Sequence, residues 1–86
     1  MPWTISWLGV TRDRLQILAR ERFPHLKNPG QSVVEKVEEE IRLHPLPSLD
    51  LPQVSSEQLF NFGPVQVSYY IDSLTGRAEV RKVAVL

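Results

Sequence analysis

Val65-Gln66-Val67-Ser68-Tyr69-Tyr70-Ile71 is the clearest alternation in the chain. Val65, Val67, Tyr69 and Ile71 fall on one side, and Gln66, Ser68 and Tyr70 on the other. That period of two is the pattern of a strand with one buried face. Just upstream, Gly63-Pro64 predicts a turn, preceded by a short strand over Gln58–Phe62. Just downstream, Asp72-Ser73-Leu74-Thr75-Gly76 predicts a hairpin loop, with Gly76 suited to positive φ. The last strand, Arg77 to Leu86, changes phase, because Ala78 and Val80 point one way and Val83 and Val85 the other. The slip falls at Arg81-Lys82 and predicts a β-bulge or an exposed edge there.

The first half reads differently. Trp3-Thr4-Ile5-Ser6-Trp7-Leu8 alternates bulky and small residues and predicts a strand that buries Trp3, Ile5 and Trp7 and ends at Gly9. Thr11 is placed to cap a helix, with Asp13 in its first turn and Leu15, Leu18 and Ala19 on one side. Phe23 lies two turns beyond Leu15, and Pro24 stops this helix near Arg22. A second helix starts at Asn28-Pro29, with a competing capping box at Ser32–Glu35. It carries Val33, Val34, Val37 and Ile41 on one side and the charged residues from Glu35 to Arg42 on the other, and His44-Pro45-Leu46-Pro47 ends it. Residues 45–56 form an irregular Pro- and Ser-rich connector, pinned to the body by Leu46, Leu49, Leu51 and Val54.

The order is therefore β-α-α-β-β-β. Two consecutive helices with one apolar side each must pack as a hairpin on one face of the sheet. The expected fold is a two-layer α+β domain over residues 1–86, a helical hairpin on a mainly antiparallel sheet.

Composition narrows the function classes. At 86 residues there is room for one domain, and 42% hydrophobic with 23% charged residues is ordinary globular usage, which argues against disorder. Ten basic and ten acidic residues cancel, unlike a strongly basic nucleic-acid binder. Without cysteine there is neither a disulfide framework nor thiolate chemistry. No apolar run approaches the ~18–20 residues of a membrane span, and the N-terminus lacks a signal-peptide layout, so a cytoplasmic protein away from membranes is expected. Charge is unevenly spread. Residues 1–30 are basic through Arg12, Arg14, Arg20, Arg22 and Lys27, whereas residues 31–60 set six acids against Lys36 and Arg42. These charges solvate outer faces, or a basic flank beside an acidic helix orients a partner.

With these elements in place, the chain resembles the RelE/ParE superfamily of bacterial toxins. The resemblance spans nearly the whole length in the β-α-α-β-β-β order. Its most specific part is Phe62-Gly63-Pro64-Val65-Gln66-Val67-Ser68-Tyr69-Tyr70-Ile71-Asp72, followed by Ala78-Glu79-Val80-Arg81-Lys82-Val83. This is similar to the family's closing hairpin, and a helix ending in His44-Pro45 is similar to the family's second helix. The resemblance implies one of two activities. One is ribosome-dependent mRNA cleavage, in which a 2′-hydroxyl attacks the adjacent phosphate and cations stabilise the phosphorane. The other is binding of a protein target such as gyrase. It also implies an antitoxin partner whose extended or helical segment wraps the toxin. Where active members place arginines between the apolar strand positions, this chain has Gln66 and Ser68, and the basic or aromatic residues that follow the last strand are missing after Leu86. Phosphate chemistry needs positive potential, so binding is expected rather than cutting.

The catalytic candidates, if the chain is an endoribonuclease, are Tyr70, Arg81 and Lys82; the bland alternatives are a surface aromatic and edge-strand protection. Arg77, Arg81, Lys82 and Arg12 are the candidates for binding a partner, and a homodimer or strand addition at the last strand is a further expectation. His25 and His44, without cysteine, are too few for a metal site. Ser48, His44 and Asp50 lie in a Pro-rich loop without an oxyanion arrangement and make no triad. The glycines, Gly9, Gly30, Gly63 and Gly76, are scattered at turns, so no phosphate-cradling loop and no cofactor are expected. Glu38-Glu39-Glu40 reads as the wet face of the second helix, and a non-toxic interaction domain completes the set of functions.

Overall fold

The structure, a computed structural model, describes residues 3–44 and 55–86. The elements run β1 (Thr4–Trp7), α1 (Thr11–Arg22), α2 (Pro29–Arg42), β2 (Ser55–Phe62), β3 (Val65–Asp72) and β4 (Arg77–Val85). This is an α+β fold with the expected order. The expected connector contacts of Leu46, Leu49, Leu51 and Val54 lie outside the described residues. Ser55 and Ser56 belong to β2 rather than to the connector, because they continue the antiparallel pairing opposite Asp72 and Ile71.

The four strands form one mixed sheet in the order β1-β4-β3-β2. β2 with β3 and β3 with β4 are antiparallel, while β1 lies parallel to β4. The last strand is therefore not a simple edge, as the phase slip had allowed. β1 covers Arg77–Val80, and beyond Trp7 the chain turns away at Gly9 into α1. The bulge itself is present. Tyr69 pairs with Val80 and Ser68 with Lys82, which leaves Arg81 as the extra residue.

The helices cover one face of the sheet. Leu15 and Ala19 of α1 and Val33, Val34, Val37 and Ile41 of α2 are buried against Val65, Val67, Tyr69 and Ile71 of β3 and Ala78, Val80 and Val83 of β4. Each fully buried Val, Leu or Ile contributes roughly 1.5–3 kcal/mol, and this layer of contacts holds the helical hairpin to the sheet. Gly30 lets the helices approach closely, since a β-carbon there would stand 3.2 Å from Gln16 Cβ. Trp3 is buried, with Ile5 and Trp7 packed at the margin. Phe23, just past α1, stacks edge-on to Phe62 with ring centroids 5.0 Å apart.

The helix starts differ from expectation. Val10, not Thr11, is the N-cap of α1, and no side chain caps it. Thr11 already lies inside the helix, and its hydroxyl donates to the Leu8 carbonyl at 2.7 Å, tying the helix start to the end of β1. α2 begins at Pro29 after Asn28, as the Asn-Pro pair predicts, but Asn28 acts through its backbone. It takes the left-handed conformation (φ 51), which asparagine tolerates better than most residues, and makes no side-chain cap. The Ser32 hydroxyl does not cap either; it donates to the Lys27 carbonyl.

Candidate functional site on the open face of the sheet

Among the described residues, no helix or strand covers the second face of the sheet. The strand alternation brings to it Glu57, Leu59 and Asn61 of β2, Gln66, Ser68, Tyr70 and Asp72 of β3, and Arg77 and Glu79 of β4. The bulge sets the facing of the remaining β4 residues. An uninterrupted strand would send Val83 toward solvent and the residue before it toward the core. The extra residue restores the phase, so Val83 is buried while Arg81 and Lys82 both remain exposed.

Arg81 is held from two sides. Its guanidinium carbon lies 4.3 Å from the centroid of the Tyr70 ring, a cation–π contact. Its Nε donates to Glu79 Oε1 at 2.9 Å. Both partners of this ion pair are solvent-exposed, so its stabilising effect is small, roughly 0–1 kcal/mol. Its electrical effect on the site is larger, because the carboxylate sits directly on the cation.

Beside this stack is a shallow depression of about 400 Å³ lined by Glu57, Leu59, Gln66, Ser68, Lys82 and Ala84. Ser68 is buried although it faces this side, and its hydroxyl donates to Glu57 Oε1 at 2.5 Å. Leu59 is 64% exposed at the rim. The open face thus sets Arg77, Arg81 and Lys82 against Glu57, Asp72 and Glu79. Those groups can hydrogen-bond and pair with a mixed polar surface. They do not form a positive field for phosphate.

The structure places Tyr70, Arg81 and Lys82 on one face; regular alternation would put only one of Arg81 and Lys82 there, and the bulge brings both. Arg77 lies on the same face at the far end of β4, opposite Asp72. Arg12 is exposed in the first turn of α1, in the helical layer, and does not join them. Glu57 is the residue that sequence reasoning missed. Folding β2 back across the Gly63-Pro64 turn would have placed it opposite Tyr70.

His44 also makes two definite contacts at the margin of the core. Its Nε2 lies 2.6 Å from the Tyr69 hydroxyl, and its carbonyl accepts from Trp3 Nε1 at 3.0 Å. Burial, and secondarily the charge of Glu40, push the Tyr69 phenol up to about 12 from 10.0. The phenol therefore stays protonated, and it can donate to neutral imidazole or accept from imidazolium. Ser48 and Asp50 lie outside the described residues, and His44 is already engaged. Among the described residues no group of three His, Cys, Asp or Glu could hold a metal ion. None of the described helices is long and apolar enough to cross a membrane. No protein-family model, curated protein or solved structure gives a significant match to this chain.

Proposed function

We propose that this chain is a RelE/ParE-like toxin or toxin-derived domain that acts by binding a protein segment rather than by cutting RNA. The element order, the helical hairpin on one face and the pattern of the closing hairpin support the family reading. The observation that carries the mode of action is the neutrality of the open face. Arg81 is occupied by Glu79 and Tyr70, and Lys82 shares its depression with Glu57. An RNA strand would meet carboxylates beside both cations, and a surface that cleaves RNA needs the opposite sign of field. A polypeptide with mixed polar side chains suits the same surface, and an antitoxin-like protein or a gyrase-like protein target is the partner this reading implies.

One observation favours the mRNA-endonuclease reading: Tyr70, Arg81 and Lys82 share a face, with Tyr70 under a guanidinium. Induced expression separates the two. Binding predicts intact transcripts, together with stoichiometric co-purification with the product of the adjacent reading frame. Transcript cleavage that disappears in Arg81→Ala would overturn the binding reading.

A further inference from the structure

Three stretches of strand lack a neighbour among the described residues: the outer side of β1, which at four residues is too short an edge to offer much pairing, Arg81–Val85 on the side where β1 has ended, and the whole outer side of β2. The last two are defended very differently. The open half of β4 carries a bulge and two consecutive cations, features that discourage strand addition. β2 pairs with β3 over all eight residues without a register shift and contains no Pro, Lys, Arg or bulge. Its one charge, Glu57, is engaged by Ser68.

The direction of the free backbone groups is set by the turn. Phe62 and Val65 flank the two-residue Gly63-Pro64 loop and form its hydrogen-bonded pair. By alternation, the even-numbered residues of β2 direct their N–H and C=O groups to β3, and Glu57, Leu59 and Asn61 direct theirs outward.

We infer that β2 pairs antiparallel with β2 of a second copy of this chain across a two-fold axis at Leu59, joining two four-stranded sheets into one. In that register Leu59 faces Leu59 of the second copy, and Glu57 faces Asn61 in both directions. Each facing pair exchanges two backbone hydrogen bonds, about six in all. The exposed Leu59 gains an apolar partner, and no like charges meet. On the helical side, Phe60 faces Gln58 and Phe62 faces Ser56 of the second copy. The half-buried Phe60 and Phe62, already in contact with each other, with Phe62 also against Phe23, gain further cover. A chain with zero net charge adds no overall repulsion between copies. A strand pair of this length buries less than the ~1,200–2,000 Å² of a stable interface, so association is weak and concentration-dependent.

Sedimentation of the purified protein from about 1 µM to about 1 mM tests this directly. The expected result is a shift from one copy to two. Leu59→Lys sets like charges directly opposite each other and raises the midpoint concentration by at least about tenfold. Leu59→Glu does the same alone, but an equal mixture of the two variants restores the dimer, because the two-fold axis places position 59 against itself. Thermal melts verify that both variants remain folded, which the exposure of Leu59 predicts. A wild-type protein that stays single throughout the range, or a mixture that fails to pair, overturns the inference. So does a dimer that survives Leu59→Lys and is lost in Val85→Lys, which would place the contact on β4.

Discussion

The His44–Tyr69 pair gives the sharpest test of how this small core is held. Tyr69 is almost fully buried, whereas His44 is half-exposed, so the two ends of one hydrogen bond have unequal access to water. Tyr69→Phe removes the hydroxyl and leaves an imidazole that can turn to solvent, so the loss is that of an ordinary hydrogen bond, about 1 kcal/mol. His44→Ala instead strands a buried phenol, which costs about 1–3 kcal/mol. It also removes the edge-on ring contact at 5.7 Å, a further ~0.5–1.5 kcal/mol. A domain of this size has a total stability of roughly 4–13 kcal/mol. At a midpoint cost of about 3 kcal/mol, His44→Ala should therefore lower Tm by about 12–24 °C, and Tyr69→Phe by about 4–8 °C. In the double variant no stranded hydroxyl remains, so its cost falls short of the sum by about 1–2 kcal/mol. Urea unfolding followed by Trp3 and Trp7 fluorescence measures all three. Equal costs for the single variants, or additivity within about 0.3 kcal/mol, would refute the assignment of a buried phenol that depends on His44.

Tyr69 also predicts an alkaline transition. Its folded pKa is raised, so its contribution is complete below pH 10 and is lost as pH rises toward about 12. Stability measured by urea unfolding should fall with a limiting slope of about 1.4 kcal/mol per pH unit in that window, and Tyr69→Phe should lack this component. Gly63→Ala should destabilise by about 1–3 kcal/mol in the same assay, because position 63 has φ 59 and a β-carbon would stand 3.1 Å from the Phe23 ring. Arg81→Ala removes an exposed ion pair and an exposed cation–π contact and should cost no more than about 1–2 kcal/mol. Deleting Arg81 should likewise leave the protein folded in thermal melts, since Lys82 still faces Ser68 and Val83 still faces Val67.

Much of the fold was legible because it is periodic. The Val33, Val34, Val37 and Ile41 stripe and the Val65–Ile71 alternation each fix a buried face without reference to the rest of the chain, and all these apolar positions are buried. The phase slip at Arg81-Lys82 announced the bulge for the same reason. What depends on distant partners was not legible. The parallel docking of β1 onto β4 brings Thr4 opposite Arg77, and no local pattern encodes that. Thr11 was a plausible cap by residue type, but the contact to Leu8 drew its hydroxyl away from the helix. Gln66 and Ser68 marked where cations were missing, yet the acid that completes the site, Glu57, lies on another strand and is placed only by register. His44 lies 25 residues from Tyr69, and no local pattern pairs the two.

The zero net charge takes on a local meaning at the open face. A chain can be neutral because separated basic and acidic regions cancel, and such a protein still steers charged partners at long range. Residues 1–60 have that character, with basic groups early and acids later. The open face does not. There Arg81 touches Glu79, Lys82 shares a depression with Glu57, and Arg77 lies across from Asp72. Opposite charges this close cancel within a Debye length of about 8–10 Å, so little field reaches a partner before contact. In the proposed binding role, recognition on this face would rest on shape, hydrogen bonds and the exposed Leu59 at its rim. Its affinity should depend only weakly on salt, the opposite of what phosphate binding requires.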